Sequence, residues 1–242
     1  MDLDTVTEFV VPVTRNDLAD FGEGDAFLAG GSWLFSEPQT GVRRLFDLMA
    51  LRWRPIDGSE IAATCTLAHL AASSDLARRC CECLRGSFKI WNVGTVGGNL
   101  CCALPAGPIA AYAVALEGVC TLWSARGERE VAALDFITGP GTTVLRPGEL
   151  LRSVRVGPEP RTALRQFSLT PIGRSAALLI GRADPFVLTI TGATPRPVQI
   201  TGVDDLHEAI DALEFYDDVH GSPRWRRQLT HVLAEEIRQE LS

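Results

Sequence analysis

The sequence predicts an α+β protein, and three observations lead to this fold class. Helical segments are predicted between residues 66 and 117, strand-like segments are predicted from residue 119 to 191, and one long amphipathic segment closes the chain. The 242 residues are 46% hydrophobic and 22% charged, which is enough apolar material for a buried core in one to two domains. A disordered or fibrous protein is therefore excluded.

The first half of the chain alternates short strands with helices. DAFLAGG and RRLFDLMAL each resemble a strand running into a turn, and EIAATCTLAHLAAS passes from strand to helix with Thr66 as N-cap. SSDLARRCCECLRG is predicted as a helix that begins at Ser74 or Asp75 and ends at Gly86. A glycine-rich segment then separates it from a helix over IAAYAVALEG.

The second half is predicted as strands followed by a helix. VCTLWSARGEREVAALDF indicates a hairpin that turns at residues 125–127, and ELLRSVRV, TALRQFSLT, SAALLIGRAD and PFVLTITGA are strand-like. The closing helix has Ser222 as N-cap and Pro223 at its first position. Its predicted core-facing residues are Trp225, Leu229, Val232, Leu233, Ile237 and Leu241.

Charge and cysteine content narrow the function classes. The net charge of −7 and the pI of about 5.2 disfavour nucleic acid as a partner. The acidic N-terminal stretch lacks the features of a signal peptide, and no apolar run approaches the roughly 18 residues of a membrane span, so a cytoplasmic protein is expected. The seven cysteines are expected to be reduced, and the Cys80–Cys83 pair is interpreted as small packing residues, not as metal ligands.

Two glycine pairs stand out as candidate binding elements. Gly30–Gly31 lies in LAGGSWLF and Gly97–Gly98 lies in TVGGN, each after a short apolar run. Glycine lets consecutive N–H groups point at one ligand and lets that ligand approach the backbone, and phosphate is a frequent guest of such loops. Either pair by itself is also compatible with a plain tight turn.

Recognisable catalytic motifs are missing from the sequence. It contains no P-loop, no G-x-G-x-x-G, no H-E-x-x-H and no G-x-S-x-G, and its four histidines are scattered. No nucleophile and base can be paired, so no catalytic residue is predicted in this chain. This absence favours chemistry carried by a bound cofactor.

Four motifs in order resemble one family. LAGGSWLF, IWNVGTVGGNLC, LRPGELLRSVRV and DDVHGSPRWRRQLTHVL resemble the FAD-binding medium subunit of the xanthine dehydrogenase and carbon monoxide dehydrogenase family of molybdenum hydroxylases. The usual family forms are A-G-G-T-D-L, R-N-x-A/G-T-I/V-G-G-N, L-x-P-G-E-L and G-S/T-x-x-Y-R. The resemblance spans nearly the whole chain, which is somewhat short for the family.

The resemblance implies a fold and a cofactor site. The fold would be a two-subdomain FAD-binding domain of the vanillyl-alcohol oxidase (PCMH) type at residues 1–157, divided at about residue 52, followed by a small α/β domain at residues 158–242. Leu151 would lie near the flavin or adenine, and Arg165 would take the place of a family lysine near the isoalloxazine. The FAD-contacting segments would be Leu28, Ala29, Gly30, Gly31, Ser32, Trp33, Leu34 and Phe35, and Thr95, Val96, Gly97, Gly98 and Asn99.

The resemblance also implies partners. A small subunit with 2Fe–2S clusters would deliver electrons from a large subunit with a molybdenum–pterin cofactor, in a dimer of heterotrimers. This chain would pass the electrons to an acceptor such as NAD, a quinone or O₂. The alternatives are a stand-alone FAD oxidoreductase, for which the last 80 or so residues leave little room, and a scaffold subunit that has lost FAD.

Three positions depart from the family pattern. Trp33 replaces the aspartate of A-G-G-T-D-L, and Trp91 replaces the arginine that precedes the asparagine. Pro108 stands where many relatives have a carboxylate that hydrogen-bonds the FAD sugar chain. These departures favour weaker retention of FAD or the scaffold alternative.

Overall fold

The computed structural model describes residues 3–202 and 204–242, which form three main sheets in chain order. The first sheet is small and parallel, with the strand order β1-β3-β2. Its core joins Leu18, Phe46 and Leu48 to the rings of Phe21 and Phe27. Its strands are β1 (Glu8–Val10), β2 (Asp25–Leu28) and β3 (Arg44–Asp47), with 3-10 turns at Arg15–Leu18 and Leu48–Leu51.

The middle region combines an antiparallel sheet with a layer of helices. The sheet has the order β4-β5-β10-β6-β7, and a two-stranded ribbon of β8 and β9 lies beside it. Its strands are β4 (Ile56–Asp57), β5 (Glu60–Ala62), β6 (Val119–Ser124), β7 (Gly127–Ala132), β8 (Ile137–Gly139), β9 (Thr142–Thr143) and β10 (Leu150–Arg155). Its helices are α1 (Leu67–Ala71), α2 (Asp75–Cys83), α3 (Phe88–Val93), α4 (Val96–Cys101), α5 (Pro108–Ala115) and α6 (Ala133–Phe136).

The C-terminal region is a four-stranded antiparallel meander covered by helices. Its elements are β11 (Thr162–Phe167), β12 (Ala177–Arg182), β13 (Val187–Thr191), β14 (Val198–Thr201), α7 (Leu206–Asp211) and α8 (Pro223–Leu241). One face of this sheet packs on α8, with Leu179 and Ile237 fully buried. The other face packs on the middle region, because Leu178 and Ile180 belong to the same core as the residues of α5.

Most of the predicted elements are present. Thr66 and Ser74 cap α1 and α2 by accepting hydrogen bonds from the N–H groups of His69 and Ala77. The hairpin β6–β7 turns where predicted, and α8 begins at Pro223. Among the described residues, no helix is both long enough and apolar enough to cross a membrane.

Three local predictions were wrong. The second glycine pair does not form a turn or loop, because Gly97 and Gly98 lie inside α4, which follows α3. Helix α2 ends at Cys83, before the predicted end at Gly86, and Arg85 follows it in the left-handed conformation with φ of 54°. Val232 is 57% exposed, so it does not belong to the buried face of α8.

Glu149 explains the acidic position of the LRPGEL motif. Its carboxylate accepts hydrogen bonds from Arg129 Nε and Nη2 at 2.9 and 2.7 Å, and from the Arg146 N–H at 2.9 Å. Arg129, acting mainly through these hydrogen bonds, lowers the pKa of Glu149 from 4.5 to about 2. The motif therefore fixes the turn that leads into β10.

We expect Glu149→Gln to destabilise the protein at pH 7. The lowered pKa corresponds to about 3 kcal/mol at most, and solvent screening at the half-buried Arg129 reduces it to about 2 kcal/mol. Because the folded-state pKa is depressed, the contribution is complete above pH 4.5 and disappears as the pH falls towards about 2. Urea unfolding at pH 7 and at about pH 3.5 measures the free energy of unfolding of both proteins. The difference in this free energy between Glu149→Gln and the parent protein should be smaller at the lower pH.

The control is Glu130→Gln, which removes the charge from an exposed pair with Arg155. Surface pairs of this kind contribute about 0–1 kcal/mol. Equal effects of the two substitutions at pH 7 would contradict the role given to Glu149.

Candidate functional site

The first glycine pair lies in the connection from β2 to β3. Gly31 has φ of +69°, a conformation that favours glycine, and the ring of Phe35 packs directly against its α-carbon. Leu28 closes the other side, since its side chain also contacts Gly31. A hydrogen bond from the Phe35 N–H to the Gly31 carbonyl at 2.9 Å completes the turn.

The backbone of this turn offers free donors. Within the described part of the chain, the N–H groups of residues 30–34 have no hydrogen-bond acceptor, although these residues are partly shielded from solvent, apart from the exposed Trp33. Buried and half-buried N–H groups are normally paired, so a run of unpaired ones indicates a place for an external acceptor. The turn is therefore suited to an anion such as phosphate.

The second glycine pair is arranged differently. The N–H groups of Val96 and Gly97 donate to the carbonyls of Cys65 and Ala63 at 2.9 and 2.8 Å. The Gly98 N–H donates to Thr95 Oγ1 at 3.0 Å. The N–H groups in the first turn of α4 are therefore paired within the protein. The expectation that both glycine pairs present free N–H groups is wrong for Gly97–Gly98.

The two glycines of the second pair have separate roles. A methyl group on Gly97 would lie 2.6 Å from Ala63 Cβ and 2.9 Å from the Ala63 carbonyl oxygen, so Gly97 allows α4 to pack against the end of β5. A methyl group on Gly98 would meet only Thr95 Oγ1, at 3.0 Å. Of the two, Gly98 leaves its surface open to a ligand.

The two glycine segments meet at one point. A methyl group on Gly30 would lie 1.4 Å from the carbonyl oxygen of Val93, just before α4. The turn that bears the free N–H groups therefore packs directly on the α3–α4 junction, next to Thr95. The structure brings together the two segments that the sequence predicts to share one ligand.

Leu151 and Arg165 occupy different surroundings. Leu151 is buried in β10, and Ala63 connects this strand to α4. The Ala63 N–H donates to the Arg152 carbonyl at 2.9 Å, and the Ala63 carbonyl accepts from the Gly97 N–H at 2.8 Å. Arg165 lies on the α8 face of β11, where Glu236 and Glu240 hold its guanidinium group at 2.7 Å each. The structure places Leu151 in a strand beside the glycine segments, and it does not bring Arg165 to them.

Asn99 and Pro108 lie together at the start of α5. Asn99 Oδ1 accepts a hydrogen bond from the Ile109 N–H at 3.2 Å, while the Asn99 side-chain nitrogen has no recorded partner among the described residues. Pro108 is the first residue of α5 and is buried. The side-chain oxygen of Asn99 therefore caps α5, and only its amide nitrogen remains available to a ligand.

The thiols are free and mostly enclosed. Cys65, Cys80, Cys81, Cys83 and Cys120 are buried, and burial raises the pKa of Cys65 to about 11 and that of Cys120 to about 12. Raised thiol pKa values are typical of unreactive packing cysteines. No cluster of three metal-ligating side chains occurs in the described ranges 3–202 and 204–242.

The sequence did not indicate which two backbone segments pack against the glycines of the two motifs. Ala63 and Val93 have no chemical signal of their own, since they act through carbonyl oxygens and close packing. The only indication was indirect, because a glycine in each motif requires a backbone neighbour that excludes a side chain.

The chain matches a family model and several known proteins. Residues 17–159 match the family model described as the FAD binding domain in molybdopterin dehydrogenase. The chain is 41% identical over 71 residues to the glyceraldehyde dehydrogenase medium chain of Sulfolobus acidocaldarius, and 27% identical over 190 residues to the carbon monoxide dehydrogenase medium chain of Afipia carboxidovorans. The matches span 25% and 65% of these relatives' lengths, and 29% and 72% of this chain.

Solved structures share the fold over nearly the whole chain. A chain of the Cu,Mo-CO dehydrogenase, in its cyanide-inactivated form, matches with a TM-score of 0.83 at 20% identity, covering 98% of both chains. A chain of quinoline 2-oxidoreductase from Pseudomonas putida 86 matches with a TM-score of 0.82 at 17% identity, covering 98% of this chain and 96% of that one. The family model covers more than half of the sequence, so the chain belongs to the family of FAD-binding domains found in molybdopterin dehydrogenases.

Proposed function

We propose that this chain binds FAD and serves as the electron-transfer subunit of a molybdenum hydroxylase complex. The observation that carries the proposal is the turn of unpaired N–H groups at residues 30–34, packed against the start of α4 in a chain of this family. A bound flavin would take up and release electrons. The protein itself would supply binding and orientation, which fits the absence of a predicted catalytic residue.

The chain's residues fit FAD in a defined way. The N–H groups of residues 30–34 would hold the pyrophosphate, since they are the donors that the fold leaves free. Gly98 and the amide nitrogen of Asn99 would form the opposite wall. The wall would also include Thr95, Val96 and Gly97. These residues would not donate hydrogen bonds to FAD, because their hydrogen bonds are made within the protein.

The same proposal extends to Leu28, Ala29, Ser32, Trp33, Leu34, Phe35 and Leu151. Leu28 and Phe35 would act by fixing the turn at Gly31, and Leu151 would act from β10 beside α4. For Arg165 we favour a structural role, since its guanidinium group is already paired with two glutamates of α8.

We also propose the finer architecture of the family for this chain. Residues 1–52 and 53–157 would be the two subdomains of a PCMH-type FAD-binding domain, and residues 158–242 would be the C-terminal domain. The succession of the parallel sheet, the antiparallel sheet with its helices, and the meander supports these boundaries. FAD would lie where the first two meet, at Gly30 and Val93.

Partners follow from the relatives. Two of them are named medium chains, and a third is named a subunit of the 6-hydroxypseudooxynicotine dehydrogenase complex of Paenarthrobacter nicotinovorans. We infer that this chain assembles with an iron–sulfur subunit and a molybdopterin subunit, as a dimer of heterotrimers. It would hand electrons to NAD, a quinone or O₂.

A second function has specific support. Pro108 provides no carboxylate, and the first turn of α4 satisfies its own donors, so the site has fewer polar contacts than two glycine loops suggest. These features favour a scaffold subunit without flavin. The colour of the purified complex separates the two functions, because bound flavin absorbs in the blue and the scaffold is colourless.

We expect the released cofactor to be FAD and not FMN. The unpaired N–H groups of residues 30–34 suit a pyrophosphate, which FAD has and FMN lacks. Heat denaturation of the purified complex, followed by chromatography of the supernatant against both flavins, measures this. FMN as the sole product would contradict the prediction, and a colourless protein would favour the scaffold.

A further inference from the structure

A cavity of about 120 Å³ lies outside the proposed FAD cradle, where the C-terminal sheet meets the turn from α4 to α5. Its walls come from the α4–α5 turn, the β8–β9 turn, the segment before β12, the end of β13 and the approach to α8. The polar residues of the lining that the argument uses are Arg174, Ser175, Asp218, His220 and Arg226.

Arg226 is the unusual component of this wall. Its side chain is 1% exposed, and it is the largest fully buried side chain among the residues that the structure describes. Its guanidinium group donates to the Gly192 carbonyl and to Asp218, but its Nε–H has no acceptor among the described residues. Burial lowers the pKa of Arg226, with Asp218 opposing this effect, so the cation is incompletely compensated.

The lining is richer in donors than in acceptors. Arg174 and Arg226 contribute two cations to the lining, and Asp218 is the carboxylate among its residues, while Asp217 acts on Arg226 from outside the lining. Asp218 already accepts from Arg226 and from the His220 N–H at 2.8 Å. The Ser175 hydroxyl accepts from Gln166 at 3.1 Å, which leaves its own proton free to donate. An anion that accepts hydrogen bonds is the most favourable partner for a buried cation with unpaired donors around a cavity.

We propose that this cavity binds a small planar oxyanion, of the size of a carboxylate or nitrate group. Planar guanidinium groups match such ions in shape and charge, and the volume admits an ion of this size together with water. Neutral molecules of the same shape would leave the excess positive charge uncompensated.

Binding should stabilise the fold because the cavity joins separate parts of the chain. The Gly192 N–H donates to the Pro105 carbonyl at 2.7 Å, and the Gly141 N–H donates to the Ala103 carbonyl at 3.0 Å. An ion between these segments would bind the folded state only, so the melting temperature should rise with its concentration and then level off.

The test compares acetate with acetamide, which has the same shape and no charge. Melting curves of the purified protein are recorded over a concentration series of each at constant ionic strength, with nitrate as a third arm. We expect saturable stabilisation by acetate and none by acetamide. A response to nitrate as well would indicate recognition of any planar oxyanion, and a response to acetate alone would indicate a carboxylate site. Equal curves for acetate and acetamide overturn the proposal.

Arg174→Gln locates the site without disturbing the buried Arg226. Arg174 is exposed at the cavity wall, so the variant should fold, and the acetate concentration at half-saturation should rise about tenfold. Arg146→Gln, an exposed arginine outside the cavity lining, should leave this concentration unchanged. Equal responses of the two variants would place the ion elsewhere and overturn the proposal.

Discussion

Gly30→Ala should cost the protein about 3 kcal/mol or more of folding free energy, at the upper end of what overpacking does. The added methyl group would lie 1.4 Å from the Val93 carbonyl oxygen and 2.5 Å from its carbon. Both atoms are backbone, so a change of rotamer cannot relieve the overlap. Either the turn or the α3–α4 junction has to move.

Urea unfolding followed by circular dichroism measures this cost. Gly41→Ala is the matched control, because Gly41 lies in the same β2–β3 connection and a methyl group there would meet nothing within 4 Å. If Gly30→Ala proved as stable as Gly41→Ala, the packing of the turn on Val93 would be wrong. Loss of flavin is also expected in Gly30→Ala, since the turn would no longer face the start of α4.

The sequence predicted the elements whose signals are local. Thr66 and Ser74 are side-chain caps, and a cap is visible within four residues of sequence. The hairpin β6–β7 shows alternating burial, and β10 to β13 were predicted from short apolar runs bounded by turn residues, which are also local signals. The fold class and the two glycine segments could therefore be identified without coordinates.

Predictions failed where tertiary contacts override local propensity. Two adjacent glycines disfavour a helix, yet α4 contains Gly97 and Gly98, because Ala63 and Cys65 accept hydrogen bonds from its first turn. Val232 fits the helical spacing of the core face but is exposed, so spacing alone does not decide which residues of α8 are covered.

In the candidate site, too, local features could be predicted from the sequence and tertiary contacts could not. The turn at residues 30–34 could be predicted, because Gly30 and Gly31 follow a short apolar run, which is a local signal. The placement of Arg165 could not, since the glutamates that hold it lie 71 and 75 residues further along the chain. Pairing over such a distance depends on the packing of α8 on the sheet.

The adjacent glycines of α4 should separate folding from cofactor binding. Gly97→Ala places a methyl group 2.6 Å from Ala63 Cβ and 2.9 Å from its carbonyl oxygen, at a contact that a 2.8 Å hydrogen bond holds together. We expect a loss of about 3 kcal/mol in folding free energy. Urea unfolding of the flavin-free protein measures this loss independently of any ligand.

Gly98→Ala should have the opposite profile. Its methyl group would meet only Thr95 Oγ1 at 3.0 Å, and alanine favours a helix by up to about 1 kcal/mol over glycine, so stability should change by less than about 1 kcal/mol. The same methyl group would enter the space proposed for FAD. Overpacking there by about 1.4 kcal/mol weakens binding about tenfold, and the bulkier Gly98→Val should lose the flavin with its circular dichroism intact. Full flavin occupancy in Gly98→Val would show that this face of α4 does not contact the cofactor. Equal free energies of unfolding for Gly97→Ala and Gly98→Ala would show that α4 does not pack on Ala63 as described.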